Sequence, residues 1–169
     1  MHSGPRAASN PLQTPAYAEV LVRAWQPRVS DEEVERVVQT RTGRLPSLVD
    51  RKPTLWFVVD EVVATRPVGS HAIMAEQLEH IAAVAESGIV RFQLLPTRLT
   101  HPGMCPPFRI MGVSGVEVVF VEHALGDVAR SERDDVAQMR GLFGAMQADA
   151  LPPRESIDRI REIGKDLAK

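Results

Sequence analysis

The sequence is short of the residues on which several classes of functional site depend. Cys105 is the one cysteine among 169 residues, which excludes an intrachain disulfide and a zinc site built from several thiolates. The five histidines form no H-x-x-x-H or H-E-x-x-H pair, and C-x-x-C is absent, so no metal site is predicted. The glycines form neither G-x-G-x-x-G nor a Walker loop, and no G-x-S-x-G elbow is present. No cofactor is therefore predicted.

The chain also lacks a basic excess and a long apolar run. Lysine and arginine number 20 against 22 aspartates and glutamates, which gives a formal net charge of −2. Direct contact with nucleic acid is therefore not expected. The longest apolar run, near Leu55–Val59, is far too short to cross a membrane, and residues 1–10 lack the apolar core of a signal peptide. We expect a cytoplasmic protein without membrane contact.

What the chain does contain is the composition of an ordinary globular domain, with 44% hydrophobic and 25% charged residues. We predict a flexible tail over residues 1–10 and a single domain over residues 11–169. Apolar residues at helical spacing predict helices that begin near Pro15 and over residues 31–43 and 70–87, with two more after residue 133 that Pro152 and Pro153 separate. Ser30 and Glu33 form a capping box before the second helix.

Four segments have the pattern of strands. Leu55–Val59 and Ile89–Leu95 flank the helix over 70–87, which gives the order of a β-α-β unit. Phe108–Val113 and Val116–His123 are separated by two residues and predict a hairpin. Residues 126–133 are interpreted as a polar connection. The sequence therefore predicts an α+β fold with a mixed sheet of about four strands, flanked by N- and C-terminal helices.

Polar side chains follow the ends of these strands. Asp60 and Glu61 close the first strand, Arg66 follows one short turn later, and Glu122 closes the last strand. If the strands are neighbours, these four and His101 converge in one pocket, and we predict that they bind a ligand there. Arg66 is the expected partner of a buried carboxylate. A structural ion pair with helix capping is an equal alternative.

The loop over residues 96–107 holds both His101 and Cys105. A thiol beside an imidazole can form a thiolate nucleophile, but a single such pair in a proline-rich loop is weak evidence for one. The sequence contains no complete catalytic constellation, so catalytic residues stay unassigned and an enzymatic role stays open.

Several segments carry a family resemblance in their order and spacing. These are Leu12–Ala18, Val29–Arg36, Leu55–Glu61, Arg66–Gly69, Met74–His80, Val90–Pro96, His101–Gly103 and Val118–Glu122. From about residue 12 to its end, the chain resembles the C-terminal effector domain of antitoxin-like, Xre-type helix-turn-helix regulators of actinobacteria.

The resemblance implies a cytoplasmic regulatory domain that senses a small ligand or a small partner protein. In such regulators a helix-turn-helix precedes the domain, and this chain starts near the domain's own beginning, so we expect no DNA binding of its own. Cys105, Pro106 and Pro107 alter the loop after His101-Pro-Gly103, and His123 follows Glu122 where a smaller residue is expected.

Three interpretations follow from the resemblance and from the positions at which this sequence differs from the family pattern. The first is a stand-alone regulator-derived domain that binds a ligand or a partner protein. The second is a small-molecule enzyme with acid–base chemistry of the cyclase or isomerase kind, or a carrier, recruited to natural-product metabolism. The third is a piece of a longer regulator. The apolar stripes of the terminal helices also allow a homodimer.

Overall fold

Residues 11–45, 54–97, 106–113, 115–123 and 126–168 are described by a computed structural model. Six helices have their bounds within these residues: α1 Pro15–Trp25, α2 Asp31–Thr42, α3 Glu61–Thr65, α4 His71–Glu86, α5 Arg133–Asp149 and α6 Pro153–Leu167. The strands of the same residues are β1 Trp56–Asp60, β2 Arg91–Leu95, β3 Phe108–Val113, β4 Val116–His123 and β5 Gly126–Arg130.

These elements fall into two compact units. The helical unit contains the described residues of 11–97 and 150–168, with β1, β2 and all the helices except α5. The meander unit contains the described residues of 106–149, with β3, β4, β5 and α5.

Side-chain caps determine where the first helices begin. The Ser30 hydroxyl accepts a hydrogen bond from the Glu33 amide at 3.3 Å, which confirms the predicted start of α2. Before α1, the Gln77 side chain of α4 donates to the Leu12 carbonyl and accepts from the Thr14 amide, both at 2.7 Å. This buried pair of bonds ties the segment that precedes α1 to α4.

The parallel pair of β1 and β2 forms the centre of the helical unit. Trp56 lies opposite Arg91, and Asp60 lies opposite Leu95. Alternation along the strands places Phe57 with Phe92 on the face that packs into the apolar core. The buried members of that core are Leu12, Tyr17, Leu45, Ala64, Met74, Leu78, Ala82, Val90, Phe92, Leu94, Ile160 and Ile163.

The outer edge of β2 is covered by the chain that leads into α6. The Leu94 amide donates to the Ser156 hydroxyl at 2.9 Å, and the Leu94 carbonyl accepts from the Leu151 amide at 2.8 Å. The Ser156 oxygen lies 3.0 Å from the Pro152 carbonyl and 3.1 Å from the Leu151 carbonyl, so its proton also has an acceptor. Ser156 is fully buried.

The meander unit is a three-stranded antiparallel sheet with α5 against one face. Val113 pairs with Val116, so the β3–β4 loop has the predicted two residues, and Gly115 has a φ of +82°, as such turns favour. Arg140 of α5 donates from Nε to Glu117 of β4 at 2.6 Å and makes a second bond to the same carboxylate. Val119, on the face that holds Glu117, is fully buried.

The prediction of one mixed sheet of about four strands is wrong, although the α+β class is what the structure has. The described strands form two sheets, a parallel pair of β1 and β2 and an antiparallel sheet in the order β3-β4-β5. Residues 126–130, interpreted as a connection, are the third strand of the second sheet. The hairpin therefore completes its sheet with β5, and the parallel pair has no third strand among the described residues.

Replacing Ser156 with alanine removes the acceptor of the buried Leu94 amide. We expect Ser156→Ala to lower the free energy of unfolding by about 1–3 kcal/mol, because an unsatisfied buried donor loses its water without compensation. Ser87→Ala is the matched control: the Ser87 hydroxyl bonds the Val84 carbonyl at an exposed site, so its loss should cost less than about 0.5 kcal/mol. Urea unfolding followed by circular dichroism measures both, and equal losses would contradict the role given to Ser156.

Candidate functional site

The predicted site begins where β1 ends, at two adjacent carboxylates with different partners. Asp60 is the N-cap of α3, and its Oδ1 accepts from the Val62 amide at 2.9 Å. A carboxylate is favoured there because the first amides of a helix lack partners within the helix. Asp60 therefore turns the chain from β1 directly into α3.

Glu61 lies in a network that joins three distant parts of the helical unit. Its Oε1 accepts from Arg159 Nε of α6 at 2.7 Å, and its Oε2 accepts from the Thr97 amide beyond β2 at 3.1 Å. The Glu61 side chain is 14% exposed. Burial of the carboxyl raises its pKa, but the Thr97 amide and the Arg159 guanidinium stabilise the charged form, so the pKa of Glu61 is lowered.

Two of the other predicted residues are not part of this network. Arg66 is exposed at the C-cap of α3 and makes no ion pair with any described residue, so the guanidinium beside Glu61 is that of Arg159 instead. His101 lies outside the described residues, as does Cys105.

Glu122 belongs to the meander unit and lies in a second ion-pair cluster. Glu122 pairs across the sheet with Asp127, and Arg109 lies opposite Phe120, so these four side chains share one sheet face. The Arg109 guanidinium lies 2.6 Å from Asp127 Oδ2, 3.7 Å from Glu122 Oε1, and 5.4 Å from the Phe120 ring centre. The Glu122 side chain is 11% exposed.

The chemistry of both clusters is that of paired charges. Glu61 is ionised at neutral pH and both of its oxygens already accept hydrogen bonds, so it is a poor general acid. Glu122 lies 3.7 Å from the Arg109 guanidinium, so its carboxylate belongs to an ion pair as well. The structure thus brings Asp60 and Glu61 together at one strand end. The convergence of that end with Glu122 stays a prediction.

Three residues of these clusters were missed in the sequence. Arg159 is 98 residues from Glu61, and nothing local to α6 indicates the contact. Arg109 carries a detectable signal, because a single arginine within an apolar strand needs a charged or aromatic partner on its own face. Asp127 was missed because its strand was interpreted as a connection.

Two kinds of feature are absent from the described residues. No group of three or more histidine, cysteine, aspartate or glutamate side chains is placed to hold a metal ion among residues that the structure describes. Within those same ranges, no helix has both the length and the apolar character that crossing a membrane requires.

Comparison with known proteins identifies a family. The profile of a family described as "Domain of unknown function (DUF5753)" matches residues 2–162. The chain belongs to this family. No curated protein and no solved structure matches the chain. The ion-pair clusters around Glu61 and Arg109 are therefore features of a DUF5753 domain.

Replacing Glu61 with glutamine tests the ion-pair network of this DUF5753 domain. We expect Glu61→Gln to cost about 1–2 kcal/mol at pH 7, because it removes charge from two hydrogen bonds of a mostly buried group while Arg159 stays partly exposed. The folded-state pKa of Glu61 is lowered. The contribution is therefore fully present above the unfolded-state pKa of about 4.3 and is lost as the pH falls through the folded-state pKa.

Unfolding in urea between pH 7 and pH 3 measures this difference. Glu162→Gln removes the other, exposed partner of Arg159 and should cost no more than about 0.5 kcal/mol at any pH. A Glu61→Gln effect that persisted undiminished at pH 3 would show that the charge of Glu61 is not what stabilises the fold.

The Arg109 cluster of the meander unit is tested by removing its cation. We expect Arg109→Met to cost about 1–3 kcal/mol, because it leaves the largely buried Glu122 carboxylate beside that of the more exposed Asp127 without the guanidinium. Arg109→Met combined with Glu122→Gln should cost less than the sum of the two single changes, by about 1 kcal/mol. Arg133→Met, an exposed arginine of α5, is the control. Strictly additive losses would show that Arg109 and Glu122 do not interact.

Proposed function

We propose that the chain is a regulator-derived binding domain that recognises a partner protein and does not bind DNA itself. The partner contributes an extended segment that pairs with the free edge of β1. The observation that carries this proposal is the asymmetry of the parallel pair in the helical unit: one outer edge is covered, and no described residue bonds to the other.

The hydrogen-bond register defines the open edge. The Arg91 amide donates to the Leu55 carbonyl, so in a parallel ladder Leu55, Phe57 and Val59 direct their main-chain groups at β2. The main-chain groups of Trp56 and Val58 point to the other side. No described residue bonds to them there. An edge of this kind is a template for an added strand.

The exposed side chains of β1 and of the helix that follows it suit an apolar partner segment. Trp56, at the start of β1, is 53% exposed, and Val62 and Val63 of α3 are 41% and 48% exposed. Natural edge strands are usually protected by charge, proline or a covering element. β1 carries neither lysine nor proline, and its one charged residue, Asp60, is engaged in capping α3. We therefore propose a partner strand with apolar residues that pack on Trp56 and Val58.

Charge and carboxylate chemistry support a binding role over the alternatives. A net charge of −2 disfavours contact with nucleic acid. Acid–base catalysis at neutral pH needs a carboxyl whose pKa is raised towards neutrality. The pKa of Glu61 is instead lowered below its ordinary value. The single cysteine and the resemblance to antitoxin-like regulators support a cytoplasmic site of action.

A proline at the open edge tests this proposal. Val58→Pro removes the outward amide of β1 but leaves the ladder to β2 in place, since the Val58 amide takes no part in that ladder. A protein retained from lysate of the source organism is identified and purified, and its Kd is measured by calorimetry. We expect Val58→Pro and Trp56→Ala each to weaken binding at least tenfold. Val116→Ala, an exposed apolar residue of the meander unit, should leave it unchanged.

If Val58→Pro fails to fold, hydrogen exchange of the unmodified chain tests the same proposal. In the unmodified chain, the amide of Val58 should become protected on complex formation, whereas those of Phe57 and Val59 are protected already by the ladder. A partner that binds without protecting Val58 contradicts β1 pairing. Pairing of two copies through β1, seen as a dimer by light scattering, would also overturn the assignment to a different protein.

A further inference from the structure

The loop between α1 and α2 forms a separate surface feature of the helical unit. Gln26, Pro27, Arg28 and Val29 line an open depression of about 400 Å³. Trp25, the last residue of α1, immediately precedes them and is 62% exposed, more than any other large hydrophobic side chain among the described residues. Trp25 is on neither strand of the parallel pair, so this feature is independent of the β1 edge.

The depression is held in shape before anything binds. The Gln26 amide donates to the Val22 carbonyl at 2.9 Å, and the Val29 amide donates to the Gln26 carbonyl at 3.0 Å. The Ser30 cap then fixes the start of α2 immediately after the loop. Because these bonds hold the backbone from α1 to α2, binding here requires little ordering of the loop, which lowers the entropic cost of association.

Arg28 is the one charged residue of the loop, and the carboxylates of the first turn of α2 do not pair with it. Arg28 is exposed and makes no ion pair or hydrogen bond with a described residue. Arg23, one turn earlier on α1, differs in this respect, since it bonds Glu19 at 2.9 Å and Asp31 at 2.8 Å. A free guanidinium beside an exposed tryptophan, a proline and a valine is complementary to an apolar group that carries a carboxylate next to it.

The geometry favours a segment of a protein over a small molecule. Small-molecule sites usually enclose most of the ligand's surface. This depression is lined by four consecutive residues of one loop and is open to solvent, so it can cover one face of an apolar side chain. Tryptophan and arginine are also the residues that most often dominate the energy of protein interfaces.

We propose that the α1–α2 loop is a docking site for a partner segment in which a large apolar residue lies next to an aspartate or glutamate. The apolar side chain enters the depression against Pro27 and Val29 and extends towards the exposed Trp25, and the neighbouring carboxylate pairs with Arg28. This inference does not rest on the proposed pairing at β1.

Selection from a peptide library tests the chemistry of this site directly. A phage-displayed library of random 12-residue peptides is panned on the intact chain, and the enriched peptides are synthesised. Their Kd values are measured by fluorescence anisotropy on the unmodified chain and on three variants. We expect the enriched sequences to share an acidic residue beside a large apolar one. Trp25→Ala should weaken their binding at least tenfold, and Arg28→Ala about fivefold at low salt, with the Arg28 effect falling as salt rises.

A matched variant separates a specific contact from a general charge effect. Arg154→Ala removes an exposed arginine of α6 in the same unit and should change the Kd less than twofold. Equal losses from Arg28→Ala and Arg154→Ala would overturn the inference, as would a failure to enrich any peptide. So would enriched peptides with no acidic–apolar pattern.

Different results would contradict the proposal for the β1 edge and the proposal for the α1–α2 loop. Peptides that lose affinity with Trp56→Ala but not with Trp25→Ala belong to the β1 edge, a result that overturns this inference and supports the proposed function. Peptides that depend on Trp25 and Arg28 support this inference even if no partner pairs with β1.

Discussion

The main-chain groups of Leu94 determine how the helical unit closes. Leu94 is fully buried on β2, and its amide and carbonyl point away from β1. Buried main-chain groups need partners, because each unpaired one retains the cost of leaving water. The Ser156 hydroxyl and the Leu151 amide supply both partners, which fixes the beginning of α6 against the edge of β2.

The polar network at the end of β1 is a consequence of that attachment. Arg159 follows Ser156 by three residues, about one helical turn, so fixing the start of α6 also places Arg159 near the strand end. There it meets the carboxylate of Glu61, whose second oxygen holds the Thr97 amide as the chain leaves β2. The same attachment covers the outer edge of β2, whereas no described residue covers that of β1, so the parallel pair is asymmetric.

Local signals in the sequence predicted much of the secondary structure and little of the pairing. Three signals could be recognised because each lies within a few residues of the element that it specifies. They are the Ser30 capping box, the two-residue β3–β4 loop and the helical periodicities. Which strands share a sheet depends on contacts between segments far apart in the chain. The period of a strand carries no information about its neighbours. β5, with Val128 as its one large apolar residue, has too short an alternation to be distinguished from a connection.

The same distinction applies to the candidate site. Asp60 and Glu61 could be placed at a strand end because they directly follow an apolar run. Their partners could not be predicted in the same way: Arg66 is near Glu61 in sequence, yet Arg159 holds its carboxylate. Nearness along the chain was the wrong criterion, because the end of a buried strand is contacted by whichever element packs on the sheet, and here that element is α6.

The hydrogen bonds that Glu61 already makes support the proposed strand pairing at β1 over ligand binding at this carboxylate. A ligand that bound the Glu61 carboxylate would have to displace the Thr97 amide, the Arg159 guanidinium or both. The displaced donor would then need a new hydrogen-bond partner, because leaving it unpaired costs free energy. The proposed strand at β1 breaks no bond between described residues, because none of them pairs with the outward groups of Trp56 and Val58. Each such bond is worth about 0.5–1.5 kcal/mol, and burial of Trp56 adds the free energy of removing an aromatic surface from water. Among the described residues, Asp60 and Glu61 at the end of β1 have hydrogen-bond partners, whereas the outward main-chain groups of Trp56 and Val58 have none, and this contrast supports the proposed pairing at β1.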